Sequence, residues 1–458
     1  MQNLRVSVME FVFGVVFGLV LMFILMNAGP ANATEATLVG SGMQCPNDID
    51  NMPYGWSTGG PKGAEDFDHN GNGIYDADPN VVCRRIGVTD GYVKTPDGNQ
   101  TFIFGFVDLT GVPENEIVNY KFQAHQPAPT IEGKEGQTLY LTETVLSLHF
   151  RPDIFDPHTV HFHGFPHAMA IFDGVPELSI AVPGGRDFTY FYKLVFPGTY
   201  PYHCHVEPWE HIQMGMTGTI VVYPKESTGV VVHPNGQVEV DPSGVKKAYD
   251  DGGVAPDTRY DVAYNLFINE VDADKHFNFE NIQEDTNQWH DYKPNYFTLN
   301  GRVYPYTTLP DNDPSLLVDN GYSSPPLYLS QNVSSLITAQ VGQRILLRLN
   351  SLGYMSHAFT IPGIPMHVVG EDARLLRGPT GVDVSYFKHT YAIQGGKTAD
   401  IILDTTGLTP GTYFLYAREL NDQSNLRRED RLLTRENPVV KVGDENRGGM
   451  MTEIRITP

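Results

Sequence analysis

Apolar positions in this chain fall in short runs. Stretches of β-branched and aromatic residues recur between Gly, Pro, Asn and Asp, and long stretches with a 3.6-residue period are scarce. The pattern predicts a mostly β protein, and 45 Gly with 33 Pro are high for a helical one. One run is different in kind. Phe11 to Met26 is an unbroken apolar stretch of 16 residues, preceded by Arg5 and followed by the small-residue site Ala31-Asn32-Ala33. That order predicts an export signal over residues 1–33 and a periplasmic or extracellular protein. An uncleaved membrane anchor is the alternative reading, although the run is shorter than the ~20 residues a spanning helix needs.

Composition narrows the classes. A length of 458 residues suits two or three domains, and 41% hydrophobic with 11% aromatic residues is a globular mixture rather than a disordered one. With 31 Lys and Arg against 54 Asp and Glu, the net charge is −23, which excludes nucleic-acid binding by default. Such a surface attracts cationic partners, a basic redox donor among them, but a solvated acidic surface is the commoner reason for it.

Residues 34–115 read as an N-terminal extension. Cys45 and Cys83 could be bridged in an oxidising compartment or stand as two buried thiols. Within the extension, Asp68, Asn70, Asn72, Gly73, Ile74 and Asp76 place oxygen donors at alternate positions around a sharp turn, the pattern of a calcium loop. No Glu closes it at the twelfth position, so a plain acidic turn is the other reading.

Two short segments hold the chemistry. The first reads Pro157-His158-Thr159-Val160-His161-Phe162-His163-Gly164. The second runs from Tyr200 through His203-Cys204-His205 to His211, Met214, Gly215 and Met216. Side chains two apart in a strand share a face. His161 and His163 therefore point together, as do His203 and His205, while Cys204 points to the opposite face. One strand can thus serve two metal sites. A thiolate, two imidazoles and a weak thioether make a blue-copper set, filled by His158, Cys204, His211 and Met216, with Met214 as the alternative thioether. Zinc is the rival, but compact Cys/His zinc sites have no use for a thioether.

These segments resemble the multicopper oxidases, the family of laccases and related exported copper enzymes. Their final copper domain carries a His-x-x-His-x-His-Gly motif and a His-Cys-His…His…Gly-Met motif. Pro127 to Thr130 with Glu135-Gly136-Gln137 is similar to the family's opening strands, and Asp173-Gly174-Val175-Pro176-Glu177 to its stretch between the motifs; the resemblance covers Asn119 to Tyr223. It implies a type 1 copper at His158, Cys204, His211 and Met216, a type 2 position at His161, and type 3 positions at His163, His203 and His205. The longer spacing from Cys204 to His211 resembles that of the two-domain members and of copper nitrite reductases.

The second half echoes the first. Pro410-Gly411-Thr412-Tyr413 aligns with Pro197-Gly198-Thr199-Tyr200, which puts Tyr416, Ala417 and Arg418 at the places of His203, Cys204 and His205. His357 aligns with His158. The expected architecture is all-β: two cupredoxin-like Greek-key sandwiches, copper-binding over 116–224 and copper-free over 258–458, joined by a linker over 225–257. A trinuclear oxygen-reducing centre in the family takes four His-x-His pairs, and this chain has two. In two-domain relatives a neighbouring subunit of a trimer supplies the rest, whereas the second half here offers only the unpaired His276, His290, His357, His367 and His389.

Three functions remain open from the sequence. The first is an oxidase whose type 1 copper collects electrons from a small reductant or a redox protein and passes them through Cys204 to a histidine-bound copper that reduces oxygen. The second is a nitrite-reductase-like enzyme. The third is a blue-copper electron carrier without turnover.

Overall fold

The structure is a computed structural model and describes residues 45, 78–95, 100–165, 169–281, 292–319, 327–419, 422 and 448–458. The segments read as an export signal or anchor and as a calcium loop (68–76) lie outside the described residues. No helix among the described residues is long and apolar enough to cross a membrane.

The first half is a sandwich of two four-stranded sheets. One is ordered β2-β1-β4-β6, from β1 (Val81–Lys94), β2 (Gln100–Asp108), β4 (Thr138–Val145) and β6 (Asp187–Lys193). The other is ordered β3-β8-β7-β5, from β3 (Ile131–Lys134), β5 (His161–Phe162), β7 (Gly198–His203) and β8 (Thr217–Tyr223). Only β1 with β4 and β3 with β8 pair in parallel. A two-stranded ribbon, β9 (Val230–Val232) with β10 (Val238–Val240), occupies the expected linker.

The second half repeats this plan. β11 (Val262–Val271), β12 (Tyr296–Leu299), β16 (Arg344–Ser351), β18 (Met366–Glu371), β19 (Arg374–Leu375) and β22 (Lys397–Asp404) form one sheet, with β20 (Tyr386–Lys388) paired to β18. β15 (Ile337–Gln340), β17 (His357–Thr360), β21 (Thr390–Ile393), β23 (Gly411–Ala417) and β24 (Met451–Thr457) form the facing sheet. β13 (Val318–Asp319) and β14 (Leu327–Tyr328) make a separate pair. Again the parallel pairs are the first strand with the next long one, β11 with β16, and the edge pair β15 with β24. Each half encloses its own apolar core, and burial of apolar area at roughly 25 cal/mol per Å² is the main favourable term in each.

The boundary expected at residue 116 is corrected. β1 and β2 belong to the first sandwich, because β1 pairs over Val81–Val88 with β4 and over Ile86–Lys94 with β2. Arg84, Arg85 and Asp90 interrupt the apolar pattern of β1 and hide it in the sequence. In the fold these charges are compensated: Arg84 pairs with Asp108 at 2.9 Å and Arg85 with Glu114 at 2.5 Å, while Asp90 accepts from the N–H groups of His149 and Phe150. Cys83, in the same strand, is bridged to Cys45.

The two halves meet along β7. Thr199 donates to buried Asp400 at 2.7 Å, Asp400 also takes Arg348 at 3.3 Å, and Asn350 donates to the carbonyl of Gly218 at 3.0 Å. β7, the strand that leads into Cys204, is therefore anchored to the second half at Thr199, and its neighbour β8 at Gly218.

Candidate metal centre

His161 and His203 sit opposite each other in the β5–β7 ladder. One residue further along, the chain leaves β7 and Cys204 turns into the core of the sandwich. Cys204 Sγ lies 3.1 Å from His211 Nδ1 and 3.9 Å from His158 Nδ1. All three donor atoms are within 4.8 Å of one another, and all three residues are buried.

His211 arrives on a short helix, α1 (Pro208–Met214). Glu207, in the left-handed region at φ 41°, turns the chain into it, and Pro208 stands at its first position. Gly215 ends it at φ +126°, where an added Cβ would press on Phe104 O at 3.1 Å. Met216 then donates its N–H to His211 O at 2.9 Å and accepts from Cys204 N at 3.1 Å, which fixes the buried Met216 beside the cluster. The Phe104 ring meets His211 edge-on at 5.3 Å.

Burial sets the protonation of this cluster. It pushes His158 down to about 3. It also holds His211 well below the usual imidazole range, with His158 adding to the effect. Burial, then the charge of Glu143, pushes the Cys204 thiol up to about 12, against which the Thr159 N–H at 3.5 Å works in the opposite direction. Two neutral imidazoles thus aim their Nδ1 atoms at one sulfur, with His211 Nε2 buried and without a partner. A soft cation that bonds thiolate and imidazole satisfies this donor set, so the residues fit copper.

The second cluster lies one residue away. The Nδ1 of His161 donates to Asp173 O at 2.6 Å, that of His203 to Cys204 O at 2.7 Å, and that of His163 to Gly396 O at a longer 3.4 Å. A carbonyl can only accept, so each contact places the ring proton on Nδ1 and leaves Nε2 as a lone pair. His163 and His203 bring those atoms to 2.9 Å. Lone pairs that close repel unless a proton or a cation lies between them, and burial keeps His161, His163 and His203 below the normal imidazole range. His161, His163 and His203 form a convergent group. His205 stands beside it, its ring 5.0 Å from that of His161.

Gly174 makes this geometry possible. It has φ +79°, and a Cβ there would lie 2.2 Å from Val160 O, so the Asp173 carbonyl reaches His161 only with glycine next to it. A cavity of about 450 Å³ opens over the histidines, lined on one side by His161, His163 and Tyr200 and on the other by Asp372, Gly396 and Thr398 of the second half.

Of the flanking carboxylates, Asp156 and Glu210 each place an oxygen within 4.8 Å of His211 and of each other. Trp209 is 52% exposed. Sequence reading missed Gly396 and Asp372, whose places in the pocket depend on contacts more than 200 positions away. His367 stacks on Phe387 and bonds Ser385, and His276 bonds Gln213 and Phe102 O.

Residues 109–227 match the family model described as multicopper oxidase. Over this segment the chain is similar to a multicopper oxidase domain. The copper-containing nitrite reductases of Neisseria meningitidis serogroup B and Neisseria gonorrhoeae are 33% identical over 108 residues, 23% of this chain and 25% of each relative. The match thus spans a quarter of the length of those curated relatives. Among solved structures, a blue copper oxidase from Nitrosomonas europaea superposes with a TM-score of 0.52 at 21% identity, covering 81% of this chain and 85% of its own. The multicopper oxidase mgLAC gives 0.53 at 19%, covering 82% and 86%. At that identity these structures establish the two-domain all-β fold alone.

Proposed function

We propose that the protein is an exported copper-dependent oxidoreductase. In this reading His158, Cys204, His211 and Met216 hold a type 1 copper, and His161, His163, His203 and His205 serve a second copper site. Copper at these places supplies one-electron redox chemistry, with a reduced small molecule or redox protein as donor and oxygen as acceptor. The observation that carries the reading is the adjacency of His203 and Cys204, successive residues that each belong to a separate donor cluster.

The protein's own groups have defined tasks. His158 and His211 stay neutral and so remain available as donors at neutral pH. The apolar core around Cys204 excludes water from the sulfur, and the Thr159 N–H stabilises a thiolate there. The carbonyls of Asp173, Cys204 and Gly396 hold the imidazoles of the second cluster in one tautomer, the usual role of groups that stand behind metal ligands. The pocket over them, about 450 Å³, is roomy enough for a small acceptor such as oxygen. Export is supported by the apolar run Phe11 to Met26 and by the Cys45–Cys83 bridge, since disulfides persist in oxidising compartments.

The test is oxygen uptake by the copper-loaded protein with an artificial donor, expected for the native chain and lost in Cys204→Ser. A second reading, reduction of nitrite at a single copper, is favoured by the convergence of three imidazoles rather than four and by the names of the curated relatives. Nitrite consumption without oxygen uptake selects it.

A further inference from the structure

The second sandwich keeps the frame of the first cluster almost atom for atom. Thr360 pairs with Tyr416 as His161 pairs with His203, so Ala417 follows Tyr416 as Cys204 follows His203, and His357 precedes Thr360 by the same three residues as His158 precedes His161. Ala417 N donates to Met450 O at 2.9 Å, as Cys204 N does to Met216 O at 3.1 Å. Met450 N donates to Asp422 O at 2.8 Å, as Met216 N does to His211 O at 2.9 Å. The set His158, Cys204, His211, Met216 thus has the counterpart His357, Ala417, Asp422, Met450, all four of them buried.

The sulfur and one imidazole are gone, and a carboxylate from β11 has moved in. Val88 pairs with Val145 in the first half and Ile268 with Ser351 in the second. Two residues beyond the first member of each pair stand Asp90 and Glu270. Each accepts the backbone N–H found four residues beyond the second member, that of His149 at 2.9 Å and of Met355 at 2.6 Å. Asp90 spends its other oxygen on Phe150 N. Glu270 is one methylene longer, and its other oxygen reaches His357 Nε2 at 3.4 Å, while Asp422 takes Nδ1 at 2.7 Å. Burial alone pulls the imidazole down, but the bonds to Asp422 and Glu270 outweigh it and raise His357 to about 9. A proton held between two carboxylates therefore stands where the first domain gathers metal donors.

Glu270 also reaches the other domain. Its carbonyl accepts from Gln213 on α1 at 3.3 Å. Its carboxylate fixes Met355, and the neighbouring Tyr354 hydroxyl bonds the carbonyls of Pro208, at 3.1 Å, and of Trp209 at the start of α1. The start of the helix that carries His211 is thereby tied to Tyr354 and its end to Glu270, both in the second half.

We propose that Asp422, His357 and Glu270 are a metal-free counterpart of the copper cluster, and that this ion triad makes Glu270 and Tyr354 positioning residues for the helix bearing His211. Two copies of one frame are thus used differently, one to gather metal donors and one to hold the other's ligand loop. The positioning role deepens the copper reading and rests on it for its effect on the metal.

The test uses the full chain with Glu270→Gln, which removes the charge at nearly constant shape, and Tyr354→Phe, which removes one hydroxyl from a residue 40% exposed. Amide hydrogen exchange over 208–214 is read without copper, and the copper–thiolate absorption and its potential are read after loading to equal copper content. The expected result is exchange faster by about tenfold or more over 208–214 in both variants, with β18 and β22 unchanged, and a displaced absorption band and potential. Exchange over 208–214 equal to the native chain in Tyr354→Phe overturns the proposal, and it does so even where Glu270→Gln fails to fold. A native chain that takes up no copper refutes the copper reading instead, and the exchange measurement still decides whether the helix is held by Glu270 and Tyr354.

Discussion

The Nδ1 of His203 lies 2.7 Å from the carbonyl oxygen of Cys204, its neighbour in the chain. That contact joins the two donor clusters through a single peptide unit. His203 turns its Nε2 to His163 on one side of the sheet, and Cys204 turns its sulfur to His211 on the other. The sulfur of Cys204 and the imidazole of His203 are thus linked by the chain itself and by this hydrogen bond, which is the route an electron would take under the proposed copper reading.

Gly174→Ala tests how the second cluster is held. A methyl group at φ +79° and 2.2 Å from Val160 O forces the backbone of Asp173 or Val160 to shift, which is expected to destabilise the fold by ~2 kcal/mol or more. Thermal unfolding measures this loss, and metal uptake at the histidine cluster should fall while the cluster at Cys204 persists.

His357 predicts a pH dependence. Its folded value is raised from 6.5 to about 9, so the stability it contributes is fully present below pH 6.5 and is lost as pH rises towards 9. The amount is on the order of 3 kcal/mol. Chemical unfolding of the native chain and of His357→Gln across pH 6 to 10 isolates this term, and the gap between the two should close with rising pH.

Glu143 runs in the same direction for a different reason. Burial pushes it up to about 8, with the Tyr190 hydroxyl at 3.3 Å working against the shift, so folding favours the protonated acid and stability declines from pH 4.5 to 8. Glu143→Gln mimics that acid. It should match the native chain below pH 4.5 and exceed it by ~1 kcal/mol or more at pH 9, as unfolding curves at the two pH values would show.

Much of this was legible in the residues. Strand alternation around Cys204 separated the two clusters before any geometry was known, because the period of two is local. The echo of Pro197 to His205 in Pro410 to Arg418 revealed two sandwiches for the same reason. β1 was missed because Arg84, Arg85 and Asp90 break its apolar pattern and find partners only after folding. The His357 triad was equally hidden: Glu270 lies 87 positions from the histidine it meets, and nothing near Glu270 marks it as a buried acid. The cavity wall from Asp372 to Thr398 is a long-range product of the same kind.

The most direct measurement is copper per chain, with optical and paramagnetic resonance spectra, for the native protein and for Cys204→Ser. The account predicts more than one copper per native chain and an intense thiolate band that the substitution abolishes, leaving a non-blue copper at His161, His163 and His203. A single blue copper per chain, with nothing bound once Cys204 is replaced, would contradict it.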